Sequence, residues 1–210
     1  NIGVFTQNKP ESLFMDFGAF GVRAVTVPLY ATSSEAQVHY ILEDAQIRYL
    51  FVGEQQQYDV AFRVMALSST LKQIVVFDRD VKLDAQDEST IYMDDFLAMG
   101  KNRQHQAEVD KRTAESDTED LMNILYTSGT TGESKGVMLS HAGYESVMDA
   151  HCERFPALGE NDVIINFLPF THVFERAWSC WCLCVGAELN INLRPQDIQM
   201  TIKEVRPTAM

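Results

Sequence analysis

The chain has 210 residues, 46% of them hydrophobic, enough to bury one full core and part of a second, so it is globular. Seventeen basic against thirty acidic residues give a formal net charge of -13 with no basic run, which weighs against nucleic acid as a partner and against electrostatic adhesion to anionic membranes. The four cysteines, Cys152, Cys180, Cys182 and Cys184, make no disulfide framework and fit a reducing, cytoplasmic setting.

The opening "NIGVFTQNKPES" lacks the basic and apolar regions of a signal peptide. Ile2 to Thr6 already reads as a strand and the final "VRPTAM" as the start of another, so the fold is expected to be incomplete at both ends. From the start, β-rich and helix-patterned segments alternate: "IGVFT", "ESLFMDFGAFGV", "AVTVPL", "EAQVHYILEDA", "RYLFVG", "DVAFRVMALS" and "QIVVFD". That alternation predicts an α/β fold, a mostly parallel sheet flanked by helices. Leu13, Phe14, Phe17 and Phe20 recur near helical spacing, as do Val38, Ile41, Leu42 and Ala45, and both sets are expected to face the core. Pro10 and Ser12 fall where a first turn would begin, and Ser33 and Ser34 precede Glu35 as N-cap signals.

Residues 79–120 are dense in charged and amide side chains and read as a surface excursion with one helix at 94–100, ending in the solvated acidic run "ESDTED". Next come the strand "LMNILYT", the loop "SGTTGESK", a second β-like run "GVMLS" and a helix from about His141 to Arg154, stopped by Pro156 and Gly159. "VIINFLPF", a helix across roughly 173–185, "AELNINL" and a helix opened by Pro195 repeat the alternation. The apolar run "AWSCWCLCVGA" is far short of the roughly 20 residues that span a bilayer. The division expected is a first α/β unit over 1–157, carrying a phosphate loop at 126–136, and the beginning of a second over 158–210.

The loop is the chemically pointed feature. A buried strand running out through Thr127, Ser128, Gly129, Thr130, Thr131 and Gly132 offers backbone N–H groups unobstructed by side chains, several hydroxyls, and one ammonium at Lys135. Glycines let the backbone curl around an anion, hydroxyls donate to phosphate oxygens, and the lysine adds a mobile positive charge. The spacing is not that of a Walker loop: Ser134 stands where a second glycine should be, and no Ser or Thr follows Lys135. Composition alone would equally suit a hairpin turn.

The string "YTSGTTGESKG" resembles the signature of the adenylate-forming superfamily, the acyl-CoA synthetases, adenylation domains and luciferases, with Ser134 replacing a frequent proline. "NFLPFTHVFERAW" at 166–178 is similar to the family's next motif, a Pro-aromatic-x-His segment, and its "HVFER" ending to long-chain fatty acyl-CoA synthetases in particular. Read alone, His172 would be a histidine at a helix N-terminus with Glu175 and Arg176 in surface pairs. The first 80 residues resemble the opening lobe of such synthetases, so the resemblance covers essentially the whole chain.

The resemblance implies an ATP-dependent ligase that activates a long-chain fatty acid as acyl-adenylate and transfers it to coenzyme A. Thr127, Ser128, Gly129, Thr130, Thr131, Gly132 and Lys135 would hold the ATP phosphates, with Thr130 or Thr131 near Mg2+. Lys135 and His172 would be the catalytic residues, and Phe170 and His172 would border the acyl and adenylate site. The family's adenine and ribose motifs, hinge and C-terminal domain are not found in the sequence, so residues 1–210 by themselves are expected not to turn over. Its location is expected to be cytoplasmic, with peripheral association at the inner membrane face. Two alternatives stay open at this point: an acyl-AMP ligase that passes the acyl group to a carrier protein, and a non-catalytic nucleotide-binding module.

Cys180, Cys182 and Cys184 do not read as a metal site, because alternate helical residues point about 200 degrees apart; they are expected to be small core residues. His39, His105, His141 and His151 have no ligand spacing and read as surface or capping residues.

Overall fold

The computed structural model describes residues 1–127 and 134–210. Its first half is built of strand–helix units: β1 (Ile2–Phe5), α1 (Pro10–Phe20), β2 (Thr26–Leu29), α2 (Glu35–Asp44), β3 (Tyr49–Val52), α3 (Gln55–Met65) and β4 (Gln73–Val76). A short β5 (Ile91–Tyr92), α4 (Met93–Met99) and α5 (Gln106–Ala114) follow. Then come β6 (Leu121–Thr127), β7 (Lys135–Ser140), α6 (His141–Arg154), β8 (Val163–Asn166), α7 (Val173–Cys184), β9 (Glu188–Ile191) and a 3-10 turn leading into α8 (Ile198–Val205).

Among the described residues, seven strands form one sheet in the order β5-β4-β3-β1-β2-β6-β7, and β8 pairs with β9 in a second, parallel pair. Every pairing in the large sheet is parallel except β6 with β7, where Thr127 lies opposite Lys135. The expected mostly parallel sheet is therefore present. The chain moves outward from β1 to β2 and then returns past β1 to β3, so the connections reverse direction at β1 and β3, and helices cover both faces.

Strand alternation sorts the core. Phe5, Val27, Leu29, Leu50, Val52, Ile74 and Val76 pack with α2 and α3, whereas Val4, Phe51 and Val75 pack with Met15 of α1 on the other face. Val38, Ile41, Leu42 and Ala45 are buried as their spacing predicts, and Ser34 opens α2 with a complete capping box to Gln37. α1 departs from its prediction. Pro10 does begin it, but Phe14 is 66% and Phe17 52% exposed, and the buried face is Ser12, Leu13, Met15, Asp16 and Ala19. That face takes two polar residues because α7 lies against it and Arg176 pairs with Asp16 there.

Residues 79–120 hold a helix that was not expected, α5, with no buried residue; Glu108 and Arg112 pair one turn apart and the Thr113 hydroxyl donates to the Gly21 carbonyl. The tail forms no full strand, only a parallel bridge between Ala209 and Ile164. Cys180 and Cys182 are buried as expected, but Cys184 is exposed, since it sits in the last turn of α7. No helix among the described residues is long and apolar enough to cross a membrane.

Candidate active site

Register places the carboxyl ends of four parallel strands in one row. Phe5 pairs with both Leu29 and Val52, so Thr6, Tyr30 and Gly53 are level, and Thr127 stands level with Tyr30 because Asn123 pairs with Thr26. Open parallel sheets bind ligands outside this end, where the connections diverge. A cavity of about 170 Å³ opens there, walled by Thr6 and Asn8 after β1, Tyr30 after β2, and Pro169, Phe170 and Thr171 between β8 and α7.

The phosphate-loop residues fall in two groups. Ser128, Gly129, Thr130, Thr131 and Gly132 lie outside the described residues. Thr127 and Lys135 frame them, both exposed and paired across β6 and β7. The framing strands are antiparallel arms, and Thr127 and Lys135 stand opposite each other at the carboxyl row. Gly136 fixes how closely the arms approach. A Cβ there would stand 2.8 Å from Ile124 Cγ2 and 3.2 Å from Cζ of the Tyr126 ring, so only glycine lets β7 lie flat beside β6 at the residue after Lys135. Tyr126 is itself pinned, its hydroxyl donating to Asp44, and burial together with that carboxylate pushes its ionisation upward.

Phe170 and His172 sit in the loop between β8 and α7. Phe170 is buried and lines the cavity, while His172 is exposed and is the N-cap of α7, its Nδ1 accepting from the Phe174 N–H at 3.4 Å. A neutral ring that accepts at Nδ1 carries its proton on Nε2, which is then an outward donor. His172 is thus a helix-capping histidine as well as a candidate site residue. Among the described residues no hydrogen bond joins Thr127 or Lys135 to Phe170 or His172; of the four only Phe170 lines the cavity, and Thr127 is related to it by standing level with Tyr30, which lines it too.

Glu175 and Arg176 are not in the surface pairs that His172 read alone would bring with it: each is 1% exposed. Arg176 Nη1 donates to Asp16 Oδ2, joining α7 to α1. Glu175 turns back under the loop, accepting from the Asn166 amide at 2.5 Å and from the Leu168 N–H at 3.1 Å. Burial raises its carboxyl to about 7 against these two hydrogen bonds, which favour the ionised form. Asn8 and Asn166 were not singled out in the sequence, and Glu175 was named there only as a surface residue. The one available signal was Asn166, an amide closing the apolar run "VII", since a polar side chain at the end of a buried strand needs a partner.

A sequence profile described as "AMP-binding enzyme" matches residues 1–210. The human "Long-chain-fatty-acid--CoA ligase 1" is 31% identical over 228 residues, covering 98% of this chain and 31% of the relative. "Fatty acyl-CoA synthetase A" of Dictyostelium discoideum is 32% identical over 219 residues, covering 99% of this chain and 31% of its own length. The chain therefore spans about a third of the curated relatives it matches. Among solved structures, an anthranilate CoA ligase in complex with anthranoyl-AMP superimposes with a TM-score of 0.77 at 22% identity, over 99% of this chain and 38% of that one, a likeness of fold.

Proposed function

Because this chain belongs to the AMP-binding enzyme family, which its sequence matches from end to end, we propose that it is part of an ATP-dependent ligase that activates a long-chain fatty acid as acyl-adenylate and transfers it to coenzyme A. The observation that carries the reading is the row of strand ends: the arms framing the glycine and threonine loop finish level with the cavity that Phe170 lines. A phosphate group and a carboxylate held at that row would meet, which is what adenylate formation requires. The names of the relatives, ligases of long-chain fatty acids and fatty acyl-CoA synthetases, support the substrate class.

The chemistry of the donors suits ATP. Lys135, exposed at the first position of β7, would neutralise charge on the departing pyrophosphate, and the Thr127 hydroxyl opposite it would donate to a phosphate oxygen. Ser128, Gly129, Thr130, Thr131 and Gly132 are the proposed cradle. Mg2+ bound with ATP would neutralise phosphate charge, with Thr130 or Thr131 near it. Phe170 would exclude water from the acyl group and His172 would present Nε2–H toward the adenylate. In this reading residues 1–157 and 158–210 belong to two successive units of the nucleotide-binding lobe.

ATP–pyrophosphate exchange by the full-length protein, run over carboxylates from acetate to long-chain fatty acids, tests the proposal. Exchange should rise with chain length, and Lys135→Ala should slow it by about 10- to 100-fold while leaving Tm nearly unchanged, because an exposed ammonium contributes little to folding. Exchange independent of any carboxylate would overturn the reading.

A further inference from the structure

Asn8 lies three residues beyond β1, yet among the described residues its amide hydrogen bonds are made with the end of β8 and the loop between β8 and α7, about 160 residues away along the chain. Its Nδ2 donates to the Leu168 carbonyl at 2.8 Å and to Asn166 Oδ1 at 3.0 Å, and its Oδ1 accepts from the Phe170 N–H at 3.1 Å. A backbone carbonyl on one side and a backbone N–H on the other admit only one orientation of that amide. Asn166 is fixed in turn, its own Nδ2 donating to Glu175 and to the Ser179 hydroxyl at 3.0 Å. Leu168 thus has both its N–H and its C=O engaged by side chains from outside the loop, Phe170 has its N–H engaged, and the His172 N–H bonds to the Pro169 carbonyl at 2.9 Å. These backbone groups are accounted for without regular secondary structure, which leaves the loop one arrangement.

We propose that Asn8 is a positioning residue for the acyl-adenylate site, presetting Phe170 and His172 by clamping residues 168–170 to the end of β1; the proposal rests on the ligase reading above. Without the Asn8 amide, the Leu168 carbonyl and the Phe170 N–H lose their partners beside a buried ring, and the loop moves to recover them. Misplacing a reacting group by about 1 Å costs on the order of 100-fold in rate. Among the described residues Asn8 makes no hydrogen bond to Thr127 or Lys135, and its amide bonds go to the Phe170 side of the site, so its loss is expected to fall on turnover.

The test uses carboxylate-dependent ATP–pyrophosphate exchange by the full-length protein. Asn8→Ala should lower kcat about 10- to 100-fold with the KM for ATP within about twofold. In a His172→Ala background the same change should cost less than about threefold, because most of what the clamp positions is already gone. Asn8→Asp keeps the volume but sets a carboxylate oxygen against the Leu168 carbonyl and Asn166 Oδ1, and should lose as much as Asn8→Ala; it carries the test if Asn8→Ala does not fold. Full recovery in Asn8→Asp would mean that Asn8 only fills space and would overturn the proposal, as would equal losses with and without His172. An unchanged kcat in Asn8→Ala, in a wild type that exchanges, overturns the clamp alone. A wild type that exchanges with no carboxylate overturns the ligase reading and the clamp with it.

Discussion

Glu175 is a buried carboxyl whose environment favours the proton. Burial lifts its pKa to about 7, whereas an unfolded glutamate titrates near 4.3, so between those values the folded chain holds a proton that the unfolded chain has released. Stability from this residue is therefore complete below about pH 4.3, falls as pH rises toward 7, and is flat above. Glu43 and Asp120 act in the opposite sense and in a lower window: both are lowered to about 2, by the Ser68 and Ser69 hydroxyls and by Arg23 respectively, so what they contribute is lost only as pH falls below about 4. Glu175→Gln separates the two. Glutamine can accept only one of the two hydrogen bonds that the carboxyl accepts, a loss that does not depend on pH, whereas from pH 4 to pH 8 the stability difference should shift in favour of the variant by on the order of 2 kcal/mol, allowing for screening by the surrounding polar groups. Urea unfolding at the two pH values measures it, and a stability difference that does not change with pH would count against the buried, protonated carboxyl.

At the scale of elements, α2 and α5 are opposites of similar length. α2 turns Val38, Ile41 and Leu42 into the main core and is closed at its start by the Ser34 capping box, whereas α5 buries nothing. Leu42→Ala should cost about 2–5 kcal/mol and Ser34→Ala about 1 kcal/mol, while Val109→Ala in α5 should stay within about 0.5 kcal/mol, all read from urea midpoints. The same contrast explains what could be read in advance. Helices with an apolar stripe and a cap, such as α2, are legible because burial writes a period into the sequence; α5 is held by an ion pair and a hydroxyl contact, which write none. α1 misled in the other direction. Phe14 and Phe17 supply a convincing stripe, but the face that is buried contains Ser12 and Asp16, and only the position of α7 makes that so. The candidate site divides likewise: Thr127, Lys135, Phe170 and His172 announce themselves by local motif, while Asn8, Asn166 and Glu175 matter through contacts up to 162 residues apart, which no local pattern encodes.

Across the whole molecule, the β1–α1 side and the β8–α7 side meet through an apolar cluster and a buried ion pair. Met122 and Tyr144 pack with Ala177 and Cys180, and Phe20 joins them from α1. Beside them Arg176 faces Asp16, with Asp16 Oδ1 and Arg176 Nε lacking hydrogen-bond partners among the described residues. A buried pair so incompletely satisfied recovers little more than the cost of desolvating its two charges, but each charge is expensive once alone. Arg176→Met should therefore destabilise by about 3–5 kcal/mol by stranding the Asp16 carboxylate. Adding Asp16→Leu should recover most of that loss, because two apolar side chains of similar volume extend the Met122 cluster instead of leaving an unpaired charge. Thermal unfolding of the two single variants and the double variant measures the coupling. Single losses that simply add in the double variant would mean that each charge acts alone. Recovery of stability without recovery of exchange activity would assign the pair to holding α7, and with it the loop of Phe170 and His172, at the correct angle to the strand ends.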